Sequence, residues 1–86
     1  MPYMSARPTI TPLQCRLARF ALRWSQRRLA KEADVAPATV AEFELENRNL
    51  APRTARDIIA TLTSAGIDLL PETATREATI AKRKAP

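Results

Sequence analysis

The run Ser25–Glu44, SQRRLAKEADVAPATVAEFE, leaves the backbone few paths. Leu29, Ala30 and Ala33 read as the inward face of one short helix, and Val40 and Phe43 as residues pointing inward from a second. Ser25 supplies a side-chain cap for a helix running from Gln26 to about Ala33. Pro37 is barred from a helix interior and suits a first turn, so a second helix begins there. Between them the chain bends at Ala-Asp-Val. The only glycine of the chain is Gly66, so the bend has none. Asp34 stands where a positive φ is needed, and a short polar side chain tolerates that region better than most.

Counting from Gln26, Ala30 is the fifth residue, Asp34 the ninth, Val35 the tenth and Val40 the fifteenth. A small side chain at the fifth position lets two helices cross closely. The two valines plug the angle between them. Small, bend and plug positions together make the helix-turn-helix pattern.

Elsewhere the punctuation is equally local. Thr11 caps, Pro12 fits a first helical position and Gln14 completes a capping box, so a first helix starts there. Cys15, Ala18 and Leu22 form its apolar stripe, widened by Leu13 and Leu17. Trp24 is expected to cover the core edge between the first two helices, and Cys15 to be a buried small hydrophobe. ENRNLAP is a loop of turn formers. Pro52 opens a fourth helix carrying Ala55, Ile58, Ile59 and Leu62, and Gly66 ends it. Residues 67–70 and 78–82 read as two short strands of a hairpin, or as a frayed tail after Pro71. The expected organisation is an N-terminal arm over 1–10, a helical domain over 11–66 and a C-terminal element over 67–86.

Eighty-six residues bound this to one small domain, with 45% hydrophobic and 27% charged residues marking it as globular. The net charge of +5 is unevenly spread. Residues 13–33 carry Arg16, Arg19, Arg23, Arg27, Arg28 and Lys31 against Glu32. Residues 34–50 carry Asp34, Glu42, Glu44 and Glu46 against Arg48. A basic first half suggests a polyanion partner, with a solvated arginine-rich helix face as the alternative. With no histidine and one cysteine there is no zinc set and no internal disulfide. No carboxylate pair stands near a nucleophile and no Gly-rich loop would cradle phosphate, so neither enzyme activity nor a cofactor, metal or small-molecule ligand is expected. The start MPYMSARPTITP lacks the apolar region of a signal peptide, and no run approaches the ~20 residues of a membrane span. A cytoplasmic, nucleoid-associated protein without membrane contact is expected.

WSQRRLA, VAPATVAEFE and NRNLAP together resemble the Cro/C1-type (XRE) helix-turn-helix regulators over roughly residues 13–70. GIDLLP and the later ATIAKR are similar to small bacterial members whose C-terminal strands pair subunits. The resemblance implies an all-α, compact four- to five-helix lambda-repressor-like bundle, with a short C-terminal β-strand pair as a dimerisation element. It implies binding of double-stranded DNA as a homodimer, and thus transcription regulation, as a repressor or an activator. It also implies that Arg19, six residues before Ser25, pairs with Glu44 at the end of the third helix.

Under that resemblance the start of the third helix, read as 37–46, enters the major groove. Its outward residues are Pro37, Ala38, Thr39, Ala41 and Glu42. None is a standard base reader: Ala38 and Thr39 offer methyl contacts to thymine, Thr39 a hydroxyl, and Glu42 an acceptor for cytosine N4. Ser25, Gln26 and Arg27 at the start of the second helix are expected to meet phosphate, helped by the helix N-terminus. So are Asn47, Arg48 and Asn49 in the following loop, and Arg53 with Arg56 in the fourth helix. Specificity could also come from apolar contacts and water, from DNA bending, from the arm with Arg7, or from the basic tail AKRK. Ile67, Leu69 and Leu70 are the expected dimer contacts. The donor-poor, acidic third helix leaves a second reading open, a protein-interaction module such as an antitoxin or anti-activator on the same fold.

Overall fold

The computed structural model describes residues 9–70 and 80–82. The element order is α1 (Pro12–Leu22), α2 (Gln26–Ala33), α3 (Pro37–Glu44), α4 (Pro52–Ser64), β1 (Ile67–Leu69) and β2 (Ile80–Lys82). Helix starts follow the expected chemistry. Thr11 Oγ1 accepts from the Gln14 N–H and Gln14 Oε1 from the Thr11 N–H, each at 3.0 Å, closing the capping box of α1. Ser25 Oγ accepts from the Arg28 N–H at 2.9 Å. α3 and α4 have no side-chain cap and begin with Pro37 and Pro52, whose missing N–H needs no partner there.

Three helices end by one device without glycine. Arg23, Asp34 and Glu46 take φ of 61°, 60° and 64°. At each end the left-handed residue and its successor donate back into the last turn. After α1 the bonds are Arg23 N–H to the Phe20 carbonyl and Trp24 N–H to that of Arg19. After α2 they are Asp34 to Lys31 and Val35 to Ala30, and after α3 Glu46 to Phe43 and Asn47 to Glu42. These are Schellman turns, which satisfy carbonyls that a helix end otherwise leaves open. Glu46 therefore terminates α3, whose helix stops at Glu44 and not at 46 as the sequence suggested. Gly66, with φ of 104°, reverses the chain after α4.

The core joins Ile10, Cys15, Ala18, Leu29, Ala30, Ala33, Val40, Phe43, Ile58, Leu62 and Ile67. α2 packs on α3 and α4, and α1 on α3 and β2. Ala30 is fully buried at the α2–α3 crossing, as is Val40, and Val35 packs on the same cluster. Three expectations about burial change. Ile10, assigned to the loose arm, is buried in the core. Leu13 is exposed, because the α1 face that packs inward runs through Gln14, Cys15, Ala18 and Arg19. The short strand pair read at the C-terminal end is present: β1 and β2 pair antiparallel with Ile67 opposite Lys82, Asp68 opposite Ala81 and Leu69 opposite Ile80. That pairing is the hairpin rather than the frayed tail. Finally, Ile67 is wholly buried inside its own chain. Its burial is worth roughly 1.5–3 kcal/mol to the fold, and its side chain is not available as a dimer contact.

No described helix is long and apolar enough to cross a membrane. The expected segments 1–8, 71–79 and 83–86, which include Arg7, Arg83 and Lys84, lie outside the described residues.

Candidate nucleic-acid interface

The bend after α2 leaves the leading end of α3 on the surface. Pro37 and Ala38 are exposed, and Thr39, Ala41 and Glu42 half-buried. Val40 and Phe43 turn inward and anchor the helix. The outward set is therefore the one expected, and it carries no basic or amide side chain.

Ser25 and Arg27 at the start of α2 are exposed. Arg28 spends its charge locally: Nε donates to Glu32 Oε2 at 2.9 Å, and its guanidinium lies 4.8 Å from the centre of the Trp24 ring. Trp24 itself packs against the core edge, as expected. Asn47, Arg48, Asn49 and Arg53 are all exposed, as is Arg56. The described C-terminal candidates Leu69 and Leu70 are half-buried. Within the described residues β2 pairs only with β1, so its outer backbone edge lacks a strand partner there.

Behind α3 lies a polar cluster in the core. Arg19 and Glu44 meet as the resemblance implied: Arg19 Nε donates to Glu44 Oε2 at 2.8 Å and Nη2 to Oε1 at 2.7 Å. The pair is almost wholly removed from solvent. Arg19 Nη1 also donates to the Trp24 carbonyl at 3.1 Å. Three further donors at Glu44 were not legible in the sequence. Cys15 Sγ donates to Oε2 at 3.0 Å, so this buried thiol is a hydrogen-bonding group and not a mere hydrophobe. Gln26 Nε2 donates to Oε1 at 3.1 Å. Arg16 Nη1 donates to the Glu44 carbonyl at 2.6 Å, satisfying an open end of α3. The α1 spacing of Arg16 and Arg19 was the available signal, since residues three apart lie on one face.

The charges of this cluster answer to those contacts. Burial pushes the Glu44 carboxyl up, but hydrogen bonds from Arg19, Cys15 and Gln26 and the Arg19 charge outweigh it and hold it below the usual carboxylate range. The hydrogen bond to Glu44 holds Arg19 above its ordinary value against the opposing effect of burial. Burial, then the hydrogen bond and charge of Glu44, push the Cys15 thiol far up, so it stays protonated. Among the described residues no group of three or more histidine, cysteine, aspartate or glutamate side chains could hold a metal.

Fold and site together define a small, mostly helical bundle with a short antiparallel sheet, in which a helix of about 12 Å presents its first turn outward. The chain matches no protein-family model and no curated protein.

Proposed function

We propose that this chain is a sequence-specific regulator that binds double-stranded DNA as a homodimer on a near-palindromic site. In this reading α2, the bend at Asp34 and α3 form a lambda-repressor-like helix-turn-helix, and Pro37, Ala38, Thr39, Ala41 and Glu42 face the major groove. Ser25, Gln26, Arg27, Asn47, Arg48, Asn49 and Arg53 hold the phosphate backbone. Leu69, Leu70 and the outer edge of β2 join two copies, placing two α3 helices about one duplex turn apart, ~34–36 Å.

The observation that carries this reading is the exposed first turn of α3 behind a left-handed Asp34, with the crossing at Ala30 and the plug at Val40 both fully buried. Such a rod is braced along its inner face and free at its leading end. Its apolar methyl groups can meet thymine, and the arginines around it supply the sequence-independent attraction to phosphate. Sparse base-edge donors assign much of the selectivity to shape and deformability of the duplex.

A mobility-shift comparison tests it. Duplex from the chain's own upstream region should bind at least tenfold tighter than random duplex at moderate salt, and light scattering should give the mass of two chains. Equal binding to both duplexes overturns the reading.

A protein-interaction module is the second reading. It draws on Phe20 and Leu45, which are 64% and 66% exposed, and on the acidic Glu42 of α3. Failure to prefer any duplex would favour it.

A further inference from the structure

Gln26 has two jobs in competition. It stands first in α2, where the DNA-binding reading needs a phosphate ligand, yet its side-chain nitrogen is already bonded to Glu44 at the opposite end of α3. We infer that Glu44 is a positioning residue, which locks the Gln26 amide so that one N–H of fixed direction meets the DNA backbone. The inference rests on the DNA-binding reading and deepens it.

The chemistry of the two groups sets the direction. An ionised carboxylate only accepts hydrogen bonds, so it is the amide nitrogen of Gln26 and not its oxygen that must face Glu44. This removes the twofold ambiguity of a glutamine amide. The nitrogen carries two hydrogens. One is taken by Oε1, and the other points away from the carboxylate, where a phosphate oxygen can accept it. Of the first four backbone N–H groups of α2, those of Arg28 and Leu29 are satisfied by the Ser25 hydroxyl and carbonyl. Those of Gln26 and Arg27 lie in the turn that has no intrahelical acceptor. Side-chain and backbone donors thus belong to the same end of α2.

Glu44 is itself held at both oxygens. Oε2 accepts from Cys15 and the Arg19 Nε, and Oε1 from the Arg19 Nη2 and Gln26. Only 3% of the residue is exposed. A glutamine held by such an anchor has lost its rotamer freedom before DNA arrives, which an untethered glutamine would lose on binding. The same carboxylate belongs to α3. The phosphate contact and the groove-facing helix are therefore joined through one side chain, and the register of one constrains the other.

A double-mutant cycle on the full chain tests this. Glu44→Gln should weaken binding of the preferred duplex about tenfold when Gln26 is present. In the Gln26→Ala background it should cause no further loss. Cys15→Ala, which releases only Oε2, should leave affinity within about twofold. An equal loss from Glu44→Gln in both backgrounds would show that Glu44 acts only through the stability of the fold, and would overturn the inference while leaving the DNA-binding reading intact. A wild-type chain that prefers no duplex overturns both.

A second measurement needs neither DNA nor a variant that must fold. In ¹⁵N-resolved spectra of the wild-type chain the two Gln26 side-chain protons should differ sharply, one shifted downfield and slow to exchange. Free-glutamine shifts at Gln26 would overturn the inference whatever the cycle shows.

Discussion

The Arg19 guanidinium and the Glu44 carboxylate meet in two parallel hydrogen bonds of 2.8 and 2.7 Å, across 25 residues of chain. Both side chains are buried, so each supplies the counter-ion that the other's charge would otherwise lack. Glu44→Ala should therefore destabilise the protein by about 3–5 kcal/mol, because it strands a buried guanidinium. The double variant Arg19→Met with Glu44→Leu should recover part of that loss, since two packed apolar groups need no partner while Cys15, Gln26 and the Trp24 carbonyl lose theirs. Urea melts of the three proteins measure both effects. A single variant as stable as the parent would show that the pair contributes no net interaction.

The same cluster gives stability a pH window. The folded Glu44 carboxyl titrates below its unfolded value, so its contribution is complete above about pH 4.3 and is lost as pH falls through the depressed folded value. Cys15 acts at the other end. Its folded thiol titrates far above the unfolded one, so its contribution is complete below about pH 8.5 and declines as pH rises beyond it. Thermal melts from pH 3 to 10 should show a plateau bounded on both sides. Cys15→Ala should flatten the alkaline fall and, by removing one donor to Glu44, soften the acid fall to a smaller extent.

Cys15 should also be chemically silent. The thiol is fully buried and held protonated, whereas thiol reagents attack the exposed thiolate. A disulfide-exchange reagent should label the native chain at the rate of global unfolding, and label it at once in denaturant. Rapid labelling of the folded protein would contradict this.

The three left-handed helix ends are places to gain stability. Arg23 and Glu46 are exposed residues at φ of 61° and 64°, where a β-carbon costs about 1–2 kcal/mol. Arg23→Gly and Glu46→Gly should each stabilise by up to about 1 kcal/mol after the added freedom of the unfolded chain is counted. Melting temperatures should rise by a few degrees. Asp34→Gly should give less, because aspartate already tolerates this region.

Ile67 and Leu13 should behave oppositely despite similar size. Ile67→Ala opens a cavity in the core and should cost about 2–5 kcal/mol. Leu13→Ala, at a side chain 44% exposed, should stay within about 0.5 kcal/mol of the parent. Equal losses would mean that Leu13 packs where the fold leaves it in solvent.

Helix starts were readable because their signals are contained in four or five residues. Thr11 with Gln14, Ser25, Pro37 and Pro52 each satisfy or remove N–H groups of the turn beside them. Asp34 was readable for the same reason, since the bend has a local φ requirement. Arg23 and Glu46 were not, because nothing in their own chemistry favours a left-handed backbone. They adopt it because the next helix must set off in a direction that the core dictates. Leu13 misled for a related reason. Helical spacing shows which residues share a face, but not how wide a strip the neighbouring helices will cover.

From the residues alone came four helix starts, the bend between α2 and α3, the inward pair Val40 and Phe43, and the bare, donor-poor leading turn of α3. These depend on propensity, capping and periodicity, which act over one or two turns of chain. Tertiary structure alone decided that Cys15 and Gln26 join Arg19 on one carboxylate, that Arg16 closes the end of α3, that Ile10 and Ile67 enter the core, and that β1 finds β2. Each of those joins residues whose nearness depends on how the helices pack, and a hydrogen bond or buried contact of this kind exists only once the folded chain has brought both partners to the same place.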